Sequence, residues 1–310
     1  MINLEILLQQ ILNGLVLGSV YALVALGYTM VYGILQLINF AHGDVLMIGA
    51  MVGVTVVMLL ANTGLPGPVL LLLAVLAAVP VCVLLSLFVE RVAYRPLRNA
   101  PRLAPLITAI GVSIVIQTSA MIIWKPNPIV FPDLLPTTPV EIFGAILAPK
   151  QILILVVSAT MMTGLVLLVN KTRLGRAMRA TAENPRIAGL MGVNANQVIA
   201  ATFAIGAALA AVAGVLVAMN YNIAQFSMGF IPGLKAFTAA VLGGIGNIAG
   251  AVLGGLLLGV IESLGAGYIG DLTGGFLGSH YQDIFAFVVL IVVLVFRPSG
   301  IMGERVADRA

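Results

Sequence analysis

The sequence predicts an all-α, polytopic membrane bundle of about eight transmembrane helices, with eight to ten crossings. Three observations predict it. Of the 310 residues, 61% are hydrophobic and only 8% are charged, where an ordinary soluble domain carries roughly 25% charged residues. The mean hydropathy is +1.15. Apolar runs fall at about 7–31, 42–61, 67–89, 103–123, 150–170, 196–219, 236–264 and 283–296, and most are long enough for a hydrocarbon core of about 30 Å. A soluble enzyme is excluded, because so little polar surface cannot keep a chain of this size in water. A β-barrel would alternate apolar and polar residues over segments of about ten, and these runs are unbroken.

The first run, 7–31, reads as a retained helix rather than a secretory leader. No Lys or Arg precedes Arg91, so the basic region that opens such a leader is missing. The segment 33–44 then places Asn39, His42 and Asp44 among apolar residues, which predicts a broken or re-entrant stretch. Ionisable groups at membrane depth are costly and are functional candidates by default. Asp44 has a second reading, as the N-cap of a helix starting near Val45. Cys82 lies within the third run and is the only cysteine, so it reads as helix filling and no disulfide or thiolate metal site can form. Gln117, inside the fourth run, reads as an interhelical hydrogen-bond donor.

Basic residues cluster in three stretches: Arg91, Arg95, Arg98 and Arg102; Lys171, Arg173, Arg176, Arg179 and Arg186; and Arg297, Arg305 and Arg309. Their clustering puts all three in the cytoplasm. The Pro-rich stretch 124–149, opening with Trp124, reads as an outside loop, as do 220–233 and 265–282. Simple counting of eight spans would leave the C-terminal arginines outside. The conflict is resolved if 234–247 is broken, a short element from Lys235 to Leu242 ending in Gly243-Gly244-Ile245-Gly246-Asn247, with a full helix from Ile248. Irregular backbone at that depth needs protein or a water-filled cavity around it, and broken helices often mark substrate paths. Glu262 and Asp283 read as solvated groups near the outer boundary.

Small residues recur every fourth position, at Gly14, Gly18 and Ala22, at Gly206, Ala210, Gly214 and Ala218, and at Gly250 and Gly254 beside Gly255 and Gly259. Such spacing lets helices approach closely in lipid.

Chemistry of its own is not written in the chain. An ATP loop needs GxxxxGK[ST], and none of Lys125, Lys150, Lys171 or Lys235 follows a glycine. His42 and His280 do not form a HExxH site, and no GxSxG elbow occurs. No metal, cofactor or nucleic-acid partner is expected, and the +4 net charge serves orientation. Within the loop 171–195, Glu183-Asn184-Pro185 reads as a helix start, and Ile187, Leu190 and Met191 form an apolar face ending at Gly192. Two occupants fit that face, a groove on a partner protein or the lipid surface.

Four stretches carry a family resemblance: Asn13-Gly14-Leu15 through Tyr32-Gly33; Ile38-Asn39-Phe40-Ala41-His42-Gly43-Asp44; Arg179 through Val193; and Ala239 through Asn247. Over nearly its full length the chain resembles permease subunits of ATP-driven importers for branched-chain amino acids, the smaller of their two permease types. The resemblance implies one permease domain over 1–310 in a bacterial inner membrane. It implies a second permease subunit, two cytoplasmic ATP-binding subunits that hold ATP and Mg, and a periplasmic amino-acid-binding protein. It assigns ATPase coupling to Glu183, Asn184, Pro185, Ala188 and Gly192, with the family's Glu-Ala-Ala-xxx-Gly pattern only partly met. The substrate path is expected along Asn39, His42, Gly43, Asp44, Gly243, Gly244, Gly246 and Asn247, with glycine amides of the second break facing a carboxylate. Urea, short amides and other amino acids are the alternative cargoes. A stand-alone channel and an ion-coupled transporter are the rival classes. The two Asn-Pro pairs, Asn127-Pro128 and Asn184-Pro185, sit in polar loops, unlike those of water channels.

Overall fold

The computed structural model describes residues 4–98, 100–101, 103–142, 144–273, 281–297 and 299–303. Arg102, His280, Arg305, Arg309 and the tail from Glu304 lie outside the described residues. Eleven helices are described: α1 (Leu4–Leu35), α2 (His42–Leu60), α3 (Gly67–Val89), α4 (Leu103–Trp124), α5 (Pro149–Lys171), α6 (Arg173–Glu183), α7 (Pro185–Leu190), α8 (Ala195–Tyr221), α9 (Phe230–Gly243), α10 (Ile248–Leu272) and α11 (Gln282–Phe296). Seven of them, α1 to α5, α8 and α10, are long and apolar enough to cross a membrane. The chain is a multi-pass membrane protein.

The helices α9 and α11 have 14 and 15 residues. At 1.5 Å per residue each is about 20 Å long, short of a full hydrocarbon core. The apolar run 236–264 is thus two helices, parted at 244–247 as the parity argument requires. Three boundaries need correction. Helix α9 begins at Phe230, inside the stretch read as an outer loop. Helix α10 runs on to Leu272, eight residues past the apolar run, because Gly265, Gly267, Gly270 and Asp271 lower the hydropathy without stopping a helix. The first half of 171–195 is itself a helix, α6, started by the Thr172 hydroxyl accepting from the Gly175 N–H at 3.1 Å.

The two ends of the bundle are defined by loop contacts. One end is basic: it carries Arg91 to Arg98 and α6–α7, and Arg98 donates to Asn196 at the start of α8 at 2.6 Å. The other end carries loop 125–148, where β1 (Ile129–Val130) pairs with β4 (Ile223–Ala224) and β2 (Val140–Ile142) pairs with β3 (Ala145–Leu147). Gln9 bonds both ways to the Ile146 backbone, at 3.0 and 2.7 Å, so α1 begins at this second end. The chain end returns to the basic end, where the Ile301 and Met302 N–H groups donate to Leu242 and Gly243 carbonyls at 2.9 Å. Both observations together require an odd number of crossings, nine when α9 and α11 are counted.

Burial sorts the helices. The most apolar window of α1 is 89% buried and that of α4 only 17%, so α1 lies at the centre and α4 at the rim. The centre is held by glycine. A Cβ on Gly259 would lie 2.3 Å from the Gly18 nitrogen, and one on Gly255 would lie 2.6 Å from the Ala22 Cα. Helices α1 and α10 therefore meet backbone to backbone, antiparallel. Other small residues join α2 to α8, where Gly49 meets Ala211 and Gly214 meets the Leu46 carbonyl.

This packing is testable. Gly259→Leu would force α1 from α10 and should cost about 1–3 kcal/mol or more, as overpacked sites do. Gly111→Leu, where an added Cβ meets nothing within 4 Å among the described residues, should be neutral. Thermal unfolding of the purified proteins in mild detergent checks the contrast, and equal melting temperatures would refute the backbone contact.

Candidate functional site

Two helix starts meet inside the bundle. Helix α1 ends at Leu35, Gln36 takes a left-handed φ of 54°, and the chain runs irregularly to His42. There α2 begins against the start of α9. A Cβ on Gly43 would stand 2.5 Å from the Gly229 carbonyl oxygen and 3.0 Å from the Gly233 Cα. Glycine at 43, 229 and 233 thus lets two interrupted segments touch.

The first break holds most of its polar groups in structural contacts. Asn39 is buried and accepts from the Tyr94 hydroxyl at 2.7 Å. His42 is buried against Gly27, edge-on to Tyr28 at 4.9 Å between ring centres, and its Nε2 has no hydrogen-bond partner among the described residues. Asp44 is buried at the edge of a cavity. Its carboxylate accepts from Gln117 at 2.9 Å, and Gln117 also donates to Ser113 at 3.2 Å. The capping reading of Asp44 fails, because α2 already starts at His42 with Ala41 as its N-cap. The interhelical reading of Gln117 agrees with its geometry. Cys82 is buried filling whose thiol contacts the Val45 carbonyl at 3.3 Å.

Asp44 and Gly43 border a cavity of about 270 Å³ with Tyr28, Phe40, Ser113 and Gly233. A larger cavity, about 570 Å³, lies toward the second end and includes Tyr21, Gln117, Tyr221, Lys235 and Asp283 in its wall. Phe230 borders both, and the Gln117–Asp44 bond bridges them. Neither cavity takes in Asn39, His42, Gly243, Gly244, Gly246 or Asn247.

The second break lies at the basic end and has its own architecture. The Gly244 N–H bonds to the Ala240 and Val241 carbonyls, and the Asn247 N–H to the Gly244 carbonyl. Asn247 caps α10 through the Gly250 N–H at 3.0 Å and donates to the Met302 carbonyl at 2.9 Å. Gly243 packs on Gly250, and Gly244 packs on Gly300 and Gly303. This turn is the seat of segment 299–303. Gly246 alone borders a cavity, one of about 110 Å³ with Thr29, Gly33 and Arg179.

Of the two carboxylates expected to be solvated, Asp283 has a side chain 42% exposed in the first turn of α11. Glu262 is 1% exposed, not solvated. It accepts from Lys235 at 2.5 Å, and Lys235 also meets Asp283 at 2.5 Å and the Tyr21 hydroxyl at 3.3 Å. The cluster draws on α1, α9, α10 and α11. Glu262 lies ten residues before the end of α10, well inside the helix and not at its tip.

On the basic surface, Asn184 ends α6 and caps α7, accepting from the Arg186 and Ile187 N–H groups at 3.0 Å each. Pro185 opens α7, Ala188 is buried beneath it, and Gly192 takes φ +85° as the Val193 N–H closes on the Ala188 carbonyl at 3.0 Å. Ile187, Leu190 and Met191 stand 58, 83 and 81% exposed, an apolar knob beyond the bundle. Glu183 is exposed beside it.

A helical membrane bundle with interrupted helices, a charged internal cavity and an exposed knob has the build of a transport permease. The family model described as "Branched-chain amino acid transport system / permease component" matches residues 10–294, and the chain belongs to that family. It is 50% identical over 307 residues to the high-affinity branched-chain amino acid transport system permease protein BraD of Pseudomonas aeruginosa, covering 97% of each chain. It is 44% identical over 307 residues to LivH of Escherichia coli strain K12, again covering 97% of each. A shorter match, 33% over 149 residues, covers 44% of this chain and 38% of the autoinducer 2 import system permease protein LsrC of Yersinia enterocolitica. Among solved structures, PsaBC from Streptococcus pneumoniae shares the fold at a TM-score of 0.50 and 14% identity, covering 93% of this chain and 91% of that one.

The charge cluster gives a prediction. Lys235→Met leaves Glu262 buried without its ion-pair partner and should cost about 3–5 kcal/mol, whereas Lys235→Met with Glu262→Met should recover most of that loss. Thermal unfolding of the detergent-solubilised variants checks it. A double variant no more stable than the single would show that the pair is not coupled.

Proposed function

We propose that this chain is a permease subunit of an ATP-binding cassette importer and forms part of the translocation path for leucine, isoleucine and valine. Residues 1–310 act as one transmembrane domain in a bacterial inner membrane. The basic loops 91–102 and 171–186 and the C-terminus face the cytoplasm, as the distribution of positive charge favours. The N-terminus and loop 125–148 then face the periplasm. The full-length relatives named for branched-chain amino acid transport support this cargo over urea, amides or other amino acids.

The observation that carries the reading is a cavity within the bundle that has Lys235 and Asp283 in a largely apolar wall, combined with an apolar knob on the basic surface. Lacking a phosphate loop, the chain draws its energy from two cytoplasmic ATPase subunits, which bind ATP and Mg. It carries no cofactor itself. The knob of α7 docks into a cleft of such a subunit in the helix-in-groove manner, with Glu183, Asn184, Pro185, Ala188 and Gly192 fixing its shape. A second permease subunit completes the path, and a periplasmic binding protein delivers the amino acid at the opposite end.

Motion of the knob has a mechanical route into the bundle. Gly175 of α6 lies against the Val169 carbonyl at the end of α5, and the Arg179 guanidinium donates to that same carbonyl. Helix α6 also packs on α1. ATP-driven movement of α7 would shift α5 and α1 together, and with them the cavity walls, in alternating access. Along the path, Asp44 and Gly43 line the inner cavity. Gly246 lies at the cytoplasmic exit, while Asn39, His42, Gly243, Gly244 and Asn247 support the backbone around it.

In proteoliposomes holding the assembled importer, Leu190→Asp and Gly192→Leu should each lower ATP-driven leucine uptake by about tenfold or more, the first through the knob and the second through strain at φ +85°, which costs about 1–2 kcal/mol. Membrane levels of both variants should stay normal. Unchanged uptake in both would sink the coupling role. Solute movement by the purified chain alone, without ATP, would instead make it a channel or an ion-coupled carrier.

A further inference from the structure

We propose that the Lys235–Glu262–Asp283 cluster is a recognition station for a free amino acid within the path, holding the carboxylate at Lys235 and the ammonium at Asp283. The proposal rests on the permease reading above and gives it a specific site.

Charge comes first. Two carboxylates share one ammonium here, so the cluster carries one formal negative charge inside an apolar bundle, an arrangement costly enough to imply use. The groups differ in access. Glu262 and Lys235 have side chains only 1% and 5% exposed, whereas that of Asp283 is 42% exposed. Glu262 is the fixed anchor of Lys235, and Asp283 is the partner that can be exchanged. A substrate carboxylate can take the place of Asp283 at the Lys235 Nζ, and the released Asp283 carboxylate then pairs with the substrate ammonium. Every charge stays paired through the exchange, which a solute with a single charge cannot achieve.

Shape agrees with charge. Lys235 and Asp283 border the cavity of about 570 Å³, within the roughly 300–1,000 Å³ of small-molecule sites. Val16, Leu17, Val20, Val217, Met228 and Ile231 form apolar wall around it. An aliphatic side chain would lie on that wall with its charged end at the cluster. Beyond it, Gln117 and Phe230 lead to the inner cavity at Asp44.

A purely structural role, tying α1, α9, α10 and α11 together, would change stability but not the ranking of ligands. The test therefore reads ranking. Equilibrium binding of labelled leucine is measured on the assembled importer in nanodiscs, without binding protein. Isoleucine should compete about as well as leucine. Leucinamide, which lacks the carboxylate, and 4-methylpentanoate, which lacks the ammonium, should each need about tenfold more or worse, as expected for losing a charge-assisted partner. Asp283→Asn should raise the apparent Kd for leucine about tenfold and narrow its advantage over 4-methylpentanoate, and Asp283→Glu should restore both.

Equal competition by 4-methylpentanoate, leucine binding unaltered by Asp283→Asn, or no leucine binding at millimolar concentration overturns the station. If the same importer, reconstituted in proteoliposomes and supplied with binding protein and ATP, still takes up leucine, the permease reading survives that failure. If it takes up none, the permease reading falls and the station with it.

Discussion

The structure depends on the backbone contact between α1 and α10. In lipid, apolar side chains gain little by leaving the tails for one another, so helices associate through close packing and polar contacts. Gly14 and Gly18 on α1 and Gly255 and Gly259 on α10 remove the side chains that would hold the two helices apart. This same approach brings the Tyr21 hydroxyl within 3.4 Å of Glu262. A wider crossing would take the Tyr21 hydroxyl away from this buried carboxylate and leave it to Lys235 alone. The glycine seam and the charge cluster are therefore one device: the seam sets a distance, and the cluster requires it.

A second glycine contact, Gly43 with Gly229 and Gly233, does comparable work for the interior. It joins the start of α2 to the start of α9, the two places where helical regularity is interrupted near the cavities. Backbone that leaves its helix at membrane depth must find partners in protein or enclosed water. Here the His42 and Asp44 N–H groups turn back to Asn39 and Ala41 carbonyls, which closes the break locally. The Asp44 carboxylate is then free for Gln117 and the cavity, rather than being spent on a cap.

Much of this was legible in the sequence. Long apolar runs, charge clusters and the parity conflict were enough to place the spans and to break the run at 244–247, because hydropathy and positive charge act locally along the chain. The knob at Ile187, Leu190 and Met191 was legible for the same reason, since Asn184-Pro185 and Gly192 mark a short helix by their own backbone preferences. What was not legible is what depends on pairs far apart. Glu262 looked like a boundary residue because nothing in its neighbourhood reveals Lys235 or Tyr21. The turn at 243–247 looked like an open anion site because the segment that packs on Gly244 and bonds the Gly243 carbonyl, Ser299 to Gly303, lies more than fifty residues on. Helix α6 escaped notice because arginines at 173, 176 and 179 read as topology before they read as a helix face.

The two ends of the molecule are coupled through α1 for a geometric reason. At 32 residues, about 48 Å at 1.5 Å per residue, it outreaches the hydrocarbon core and touches every functional part. Gln9 holds the loop at the second end, Tyr21 reaches the charge cluster, Tyr28 borders the inner cavity, and Thr29 and Gly33 border the small cavity next to Arg179 of α6. A rigid rod buried for most of its length cannot tilt without moving all of these at once. A push delivered near α6 at the basic end therefore reaches Tyr21 as a change in the spacing of α1 from α10, and with it the contacts of the Tyr21 hydroxyl to Glu262 and Lys235. Energy from another subunit and affinity for a charged solute can be linked in this fold without any side-chain relay between them.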